Sequence, residues 1–118
     1  MLLHLTEASL WHGADRAYPW STLGLSFEQV GFVHLSGAEQ VTRVAEFLYR
    51  EVEGELVVLE LDESALRAAG VEVRWEDGGD GEEFPHLYAP LRREWVAAVL
   101  PCGFVEGSFW WGSAGQGA

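Results

Sequence analysis

Gly31-Phe32-Val33-His34-Leu35-Ser36-Gly37-Ala38-Glu39-Gln40-Val41 is the stretch whose reading decides the fold class. Gly31 to Leu35 reads as a short apolar strand. Ser36-Gly37-Ala38-Glu39 matches a capping box, a serine at the cap and a glutamate three residues on. Val41, Val44, Ala45 and Leu48 then recur at i, i+3, i+4 and i+7, which makes one apolar helical stripe, widened by Phe47 and ending before Gly54. His34 therefore sits where a strand hands over to a helix. The free N–H groups of a helix start form a ready anion site. Ser36 is explained by capping alone, and a cap oxygen facing a cleft can also touch a ligand.

Working outward, Glu55-Leu56-Val57-Val58-Leu59-Glu60-Leu61-Asp62 is the strongest strand, apolar enough for a central position covered on both faces. Leu2 to Thr6 reads as a first strand with His4 in its middle. Thr6 is expected to cap a short helix through Leu10 and Trp11 that ends near Gly13. Residues 15–30 read as a connecting loop, broken at Tyr18-Pro19-Trp20-Ser21, with a helical turn at Ser26-Phe27-Glu28-Gln29. Downstream, Asp62 caps a short helix ending at Gly70. Val71 to Glu76 alternates as a half-exposed strand. Asp77 to Glu83 is a Gly-rich acidic segment without calcium-loop spacing, expected to be a solvated turn. Phe84 to Pro90 is extended, Trp95 to Leu100 is a last strand, and Phe104, Phe109, Trp110 and Trp111 are expected to pack back on the domain. The sum, five or so strands and two or three helices in uneven alternation, predicts an α+β fold with a small mixed, mostly antiparallel sheet. One domain is expected over 1–111, with 112–118 a flexible tail.

Composition narrows the function. The chain of 118 residues has a net charge of −12, with nineteen acids against seven Lys plus Arg. Those seven are all arginines, so Schiff-base chemistry has no lysine to use. The charge disfavours a duplex nucleic-acid surface or an anionic membrane, yet leaves room for a small ligand in one local pocket. No run of residues reaches the length of a membrane span, and the first residues lack the pattern of a secretory signal, so a cytoplasmic location is expected. The single cysteine, Cys102, excludes an internal disulfide. It lies in an apolar context and reads as a structural thiol.

Four histidines raise the question of chemistry. His4, His34 and His86 stand in strand-like apolar contexts, while His12 is expected to be exposed. None shows the close spacing of known metal motifs, so no metal ligand is assigned. Each histidine also has a plain reading as a hydrogen-bonded structural residue. His86 and Tyr88, at i and i+2, share a face if extended. Glu76, at a strand end before the acidic loop, is a candidate general base or ribose ligand.

These residues carry a resemblance. The N-terminal strand with His4, Gly31-Phe32-Val33-His34-Leu35-Ser36 followed by Ala38-Glu39-Gln40-Val41, the Leu56–Asp62 strand, Arg74-Trp75-Glu76 and Phe84-Pro85-His86-Leu87-Tyr88-Ala89-Pro90-Leu91 together resemble the bacterial domain-of-unknown-function family 952. The likeness covers residues 2 to 101; Ala89 stands where the family usually has glycine. That family is similar in fold to ADP-ribosyltransferases, including the RNA 2′-phosphotransferase group. The resemblance implies a split sheet that binds NAD or an ADP-ribose-like nucleotide in a cleft. It implies that His4 holds a ribose and that His34 is its neighbour. It places Glu76 nearest the usual catalytic glutamate, with His86 in a motif the family keeps instead. The site expected from residues and resemblance together has His34, His86 and Glu76 as catalytic groups, and His4, Ser36 and Tyr88 as ligand contacts. ADP-ribosyl or phosphoryl transfer is the implied chemistry. A non-catalytic binding or protein-interaction module and a three-histidine metal-dependent hydrolase are the competing expectations.

Overall fold

The computed structural model describes residues 1–14, 17–79 and 81–112. In chain order, strand β1 (Leu3–Glu7) runs into helix α1 (Ala8–Gly13). Three short strands follow, β2 (Ala17–Tyr18), β3 (Trp20–Thr22) and β4 (Leu25–Ser26), then a single-turn helix α2 (Phe27–Val30) and β5 (Val33–His34). Helix α3 (Val41–Val44) continues as a wide π turn over Ala45–Tyr49. Then come β6 (Leu56–Leu61), α4 (Glu63–Ala69), β7 (Val73–Asp77), β8 (Glu83–Leu87) and β9 (Leu91–Arg92). A 3₁₀ turn (Arg93–Trp95), β10 (Val96–Val105) and β11 (Ser108–Trp111) complete the described chain.

The apolar run at 56–61 is the spine. β6 lies between β1 and β10 in a four-stranded sheet of order β1-β6-β10-β11, antiparallel throughout. Because strand side chains alternate, β6 feeds two cores. Val57, Leu59 and Leu61 pack with Trp11, Tyr18 and Leu66 on one face. Leu56 and Val58 pack with Leu5, Val41, Tyr49 and Phe109 on the other. Val58 and Leu59 are both fully buried. Each such side chain contributes about 1.5–3 kcal/mol over its exposed state.

A second, three-stranded sheet has the order β5-β8-β7, again antiparallel. It meets the first at one bridge, where Leu3 and Ser36 exchange backbone hydrogen bonds of 2.8 Å in both directions. The α+β class holds, with every strand pairing among the described residues antiparallel. Four helices stand where two or three were expected, because the helical turn expected at Ser26–Gln29 forms as α2, and the rest of the supposed loop contains three short strands.

Three local expectations are corrected. Ser36 caps nothing: it is paired to β1 as extended chain, and α3 begins only after Gln40, which has no side-chain cap bond. The capping box is at Ser26 and Gln29 instead, where both reciprocal bonds form (2.9 and 3.1 Å). Thr6 stays in β1, and α1 starts after Glu7 without a side-chain cap. The helical stripe also differs. Val41, Ala45 and Tyr49 are buried, while Phe47 is 86% exposed and Leu48 faces outward. The π turn widens the helix at that point, so a 3.6-residue wheel places these side chains wrongly. β11 pairs with β10, with Phe104 opposite Phe109, and Phe104, Phe109 and Trp111 pack on the core as expected, while Trp110 faces outward. Gly112 is still tied to it by its N–H on the Pro101 carbonyl (3.1 Å). The rest of the expected tail, 113–118, lies outside the described residues. No helix among the described residues is long and apolar enough to cross a membrane.

Candidate functional site

The antiparallel register of β5 and β8 sets His34 directly opposite His86. Directly opposed side chains on one face must touch, and these two rings meet edge to face with centroids 5.3 Å apart. Alternation then adds their second neighbours to the same face. Phe32, two residues before His34, stacks flat on His86 at 3.9 Å and 16°. Tyr88, two residues after His86, lies 5.5 Å from the Phe32 ring. From β7, Glu76 and Arg74 complete the group. The Glu76 Oε1 accepts from His86 Nδ1 (2.9 Å) and from the Tyr88 hydroxyl. Arg74 rests over the Tyr88 ring at 4.9 Å and is bound to Glu72 by two hydrogen bonds of 2.8 and 3.0 Å. The Tyr88 hydroxyl, followed by His86, holds the Glu76 carboxyl below the usual carboxylate range. The same bond pushes the Tyr88 phenol up.

This geometry assigns the His86 tautomer. A carboxylate only accepts, so Nδ1 carries the hydrogen, and in that tautomer Nε2 is the acceptor. His86 is 4% exposed, and its Nε2 is a buried polar atom with no partner among the described residues. Such an orphan is costly and needs an explanation. It has one nearby: His86 lines a pocket of about 120 Å³ together with His34, Ser36, Tyr49 and Phe84. A wider groove of about 510 Å³ shares Val44, Leu48, Gly78 and Phe84 with that pocket and adds Phe47, Arg43 and Glu82 at its rim. His34 is half-buried, and burial, followed by the neighbouring His86, pulls its pKa down to about 4. It is neutral at physiological pH.

The groove's far wall is the acidic segment, which is not simply solvated. Arg43 grips both oxygens of Glu82 (2.6 and 2.5 Å). Gln40 donates to Glu82 and to the Glu83 carbonyl (3.0 and 2.7 Å) while its own oxygen takes the Gly37 N–H (2.9 Å). Glu82 and Glu83 are thus fastened to Gln40 and to α3.

The remaining expected residues fall out as follows. Ser36 reaches the pocket. His4 does not contribute a free atom. Its Nδ1–H donates to the His34 carbonyl (2.7 Å), and its Nε2 accepts from the Tyr18 hydroxyl (3.0 Å), which in turn accepts from Thr6 (2.5 Å). It is 1% exposed, and burial brings its pKa down to about 4. The ribose-holding role implied for His4 has no ring nitrogen left to perform it; the residue props up the backbone under His34. The three-histidine metal set fails for the same reason, and among the described residues no group of three His, Cys, Asp or Glu side chains has metal-holding spacing. Burial pushes the Cys102 thiol up to about 12, in keeping with a structural role. Sequence reasoning missed Phe32, Arg43, Glu82 and the groove. Only Phe32 left a signal, its i, i+2 spacing from His34.

The family model described as a protein of unknown function, DUF952, matches residues 5–99. No curated protein matches the chain. Among solved structures it is similar to the X-ray crystal structure of protein CC0527 from Caulobacter crescentus, with a TM-score of 0.75 and 26% identity over 92% of each chain. A double-mutant form of that protein is similar to the same degree, with a TM-score of 0.75 and 25% identity over 92% of each chain.

Proposed function

The chain belongs to the DUF952 family, and we propose that its histidine-lined cleft binds a small ligand of the NAD or ADP-ribose class. The observation that carries this reading is His86, which lines a pocket with His34 and Ser36 and has a buried Nε2 without a partner among the described residues. A ligand O–H or N–H donating there removes the penalty of the orphan. The adjoining groove, walled by Val44, Leu48 and Phe84, offers apolar contact to a flat ring. The ADP-ribosyltransferase-like relationship of the fold belongs to the same proposal, as does group transfer within the cleft. In that chemistry His86 is the proton-handling group. Glu76 positions it, because the carboxylate is already engaged by His86 and Tyr88.

The test is a thermal-shift titration with NAD and ADP-ribose at millimolar concentrations. The expected result is a rise in melting temperature that disappears in His86→Ala and His34→Ala. No shift with either nucleotide overturns the reading. A protein-interaction role has separate support in the exposed Phe47, Trp75 and Trp110, carried on three different elements. Light scattering that shows a stable dimer, lost on Trp75→Ser or Trp110→Ser, favours that second reading.

A further inference from the structure

We propose that the His34–His86 pocket takes an uncharged hydrogen-bond donor, a hydroxyl or an amide N–H, and that it excludes phosphate. This rests on the binding reading above and specifies which end of the ligand enters. Four observations converge on it.

The first is the floor of the pocket. His86 lines it, and with its Nδ1–H given to Glu76 the tautomer leaves Nε2, buried and without a partner among the described residues, as an acceptor. A fully ionised phosphate group, such as the diester phosphates of a dinucleotide, brings only acceptors, so it leaves the orphan in place. The second is charge. No arginine lines the pocket, and the chain has no lysine. At the groove rim, Arg43 is gripped to Glu82 through both carboxylate oxygens. Arg74, beyond Tyr88, is held by Glu72. The Glu76 carboxylate stands directly behind His86 and repels a second negative charge at that depth. The third is the helix start that the sequence suggested as an anion site. Ahead of it Gly37 N–H donates to Gln40 Oε1, and the Gln40 N–H and the first helical amide, that of Val41, both donate to the Gly37 carbonyl (3.0 and 3.2 Å). The fourth is size. The inner pocket, about 120 Å³, is small beside the groove of about 510 Å³ that opens from it. A compact hydroxylated or amide-bearing end fits inside, a flat ring lies along Val44, Leu48 and Phe84, and charged groups remain at the open rim.

The experiment uses the whole chain labelled with ¹⁵N and follows the His86 ring nitrogens by long-range proton–nitrogen correlation. ADP-ribose, adenosine and inorganic pyrophosphate are titrated in separate samples, and pyrophosphate is also added to the ADP-ribose complex. On ADP-ribose addition, the His86 Nε2 resonance is expected to move as a hydrogen-bond acceptor while the ring keeps its Nδ1–H form. Pyrophosphate alone leaves the resonance in place and does not displace ADP-ribose. Calorimetry in two buffers of different ionisation enthalpy is expected to show no proton uptake on binding. A His86→Phe variant keeps a ring against Phe32 and weakens ADP-ribose by about tenfold or more. Conversion of His86 to the imidazolium on binding, or competition by pyrophosphate, overturns this inference and leaves the binding reading standing. Silence of His86 towards both ADP-ribose and adenosine overturns the two together. The wild-type spectra decide the matter even if the variant fails to fold.

Discussion

The Tyr18 hydroxyl accepts from Thr6 and donates to His4, so its removal strands two buried polar groups at once. Tyr18→Phe is expected to lower stability by about 1–3 kcal/mol, read as a fall in the urea midpoint with an unchanged slope. The same network makes a pH prediction. Burial takes the His4 pKa from 6.5 to about 4, and His34 moves the same way. Between those values the unfolded chain binds protons that the folded chain refuses. Stability therefore falls as pH drops from about 6.5 towards 4 and levels off above that window. Urea midpoints measured across the window check this; a level profile would contradict neutral, buried histidines. How legible these residues were differs one by one. His34 stood out because a titratable residue ending an apolar strand is uncommon, and His86 because its i, i+2 spacing puts it on one face with Tyr88. Tyr18 did not, since nothing local links it to a histidine fourteen residues earlier.

At the scale of elements, the strand runs were readable because burial on one or both faces writes itself as alternation or as an unbroken apolar run. The capping box was misread for an instructive reason. Ser36-x-x-Glu39 and Ser26-x-x-Gln29 carry the same signature, and the difference between them is tertiary. The backbone of Ser36 is held extended by Leu3, while Ser26 is at the end of a two-residue strand and free to cap. The π turn was unreadable from period alone, because it changes the period. The β7–β8 connection makes the prediction at this scale. A Cβ on Gly78 would sit 2.7 Å from the Phe84 ring, and both residues line pocket and groove. Gly78→Ala is expected to cost about 1–3 kcal/mol as Phe84 is forced aside. It should also weaken ligand binding more than its stability loss explains. Parallel urea melts and ligand titrations of the variant separate the two effects; unchanged affinity would show that Phe84 does not shape the cleft.

For the whole molecule, the decisive arrangement is two cores on opposite faces of one strand. Leu59 belongs to one and Val58 to the other. Leu59→Ala should cost about 2–5 kcal/mol, and Val58→Ala a smaller part of that range. Because β6 is shared, tryptophan fluorescence and far-ultraviolet circular dichroism should report one coincident transition in either variant. Two separated transitions would mean that the cores melt independently. The α+β class could be read from the order of elements. The division into a four-stranded and a three-stranded sheet could not, because it depends on pairings between strands far apart in the chain.

That sharing of β6 also sets when the protein can exist at all. β1 is made before β6 and β10 well after it, and β6 needs both as neighbours. During synthesis the most apolar segment of the chain waits with one open edge until Val96–Pro101 has left the ribosome. Until then its unpaired backbone is a template for any passing strand. A chain released before Val96–Pro101 is made would therefore be an aggregation-prone fragment and not a smaller folded protein.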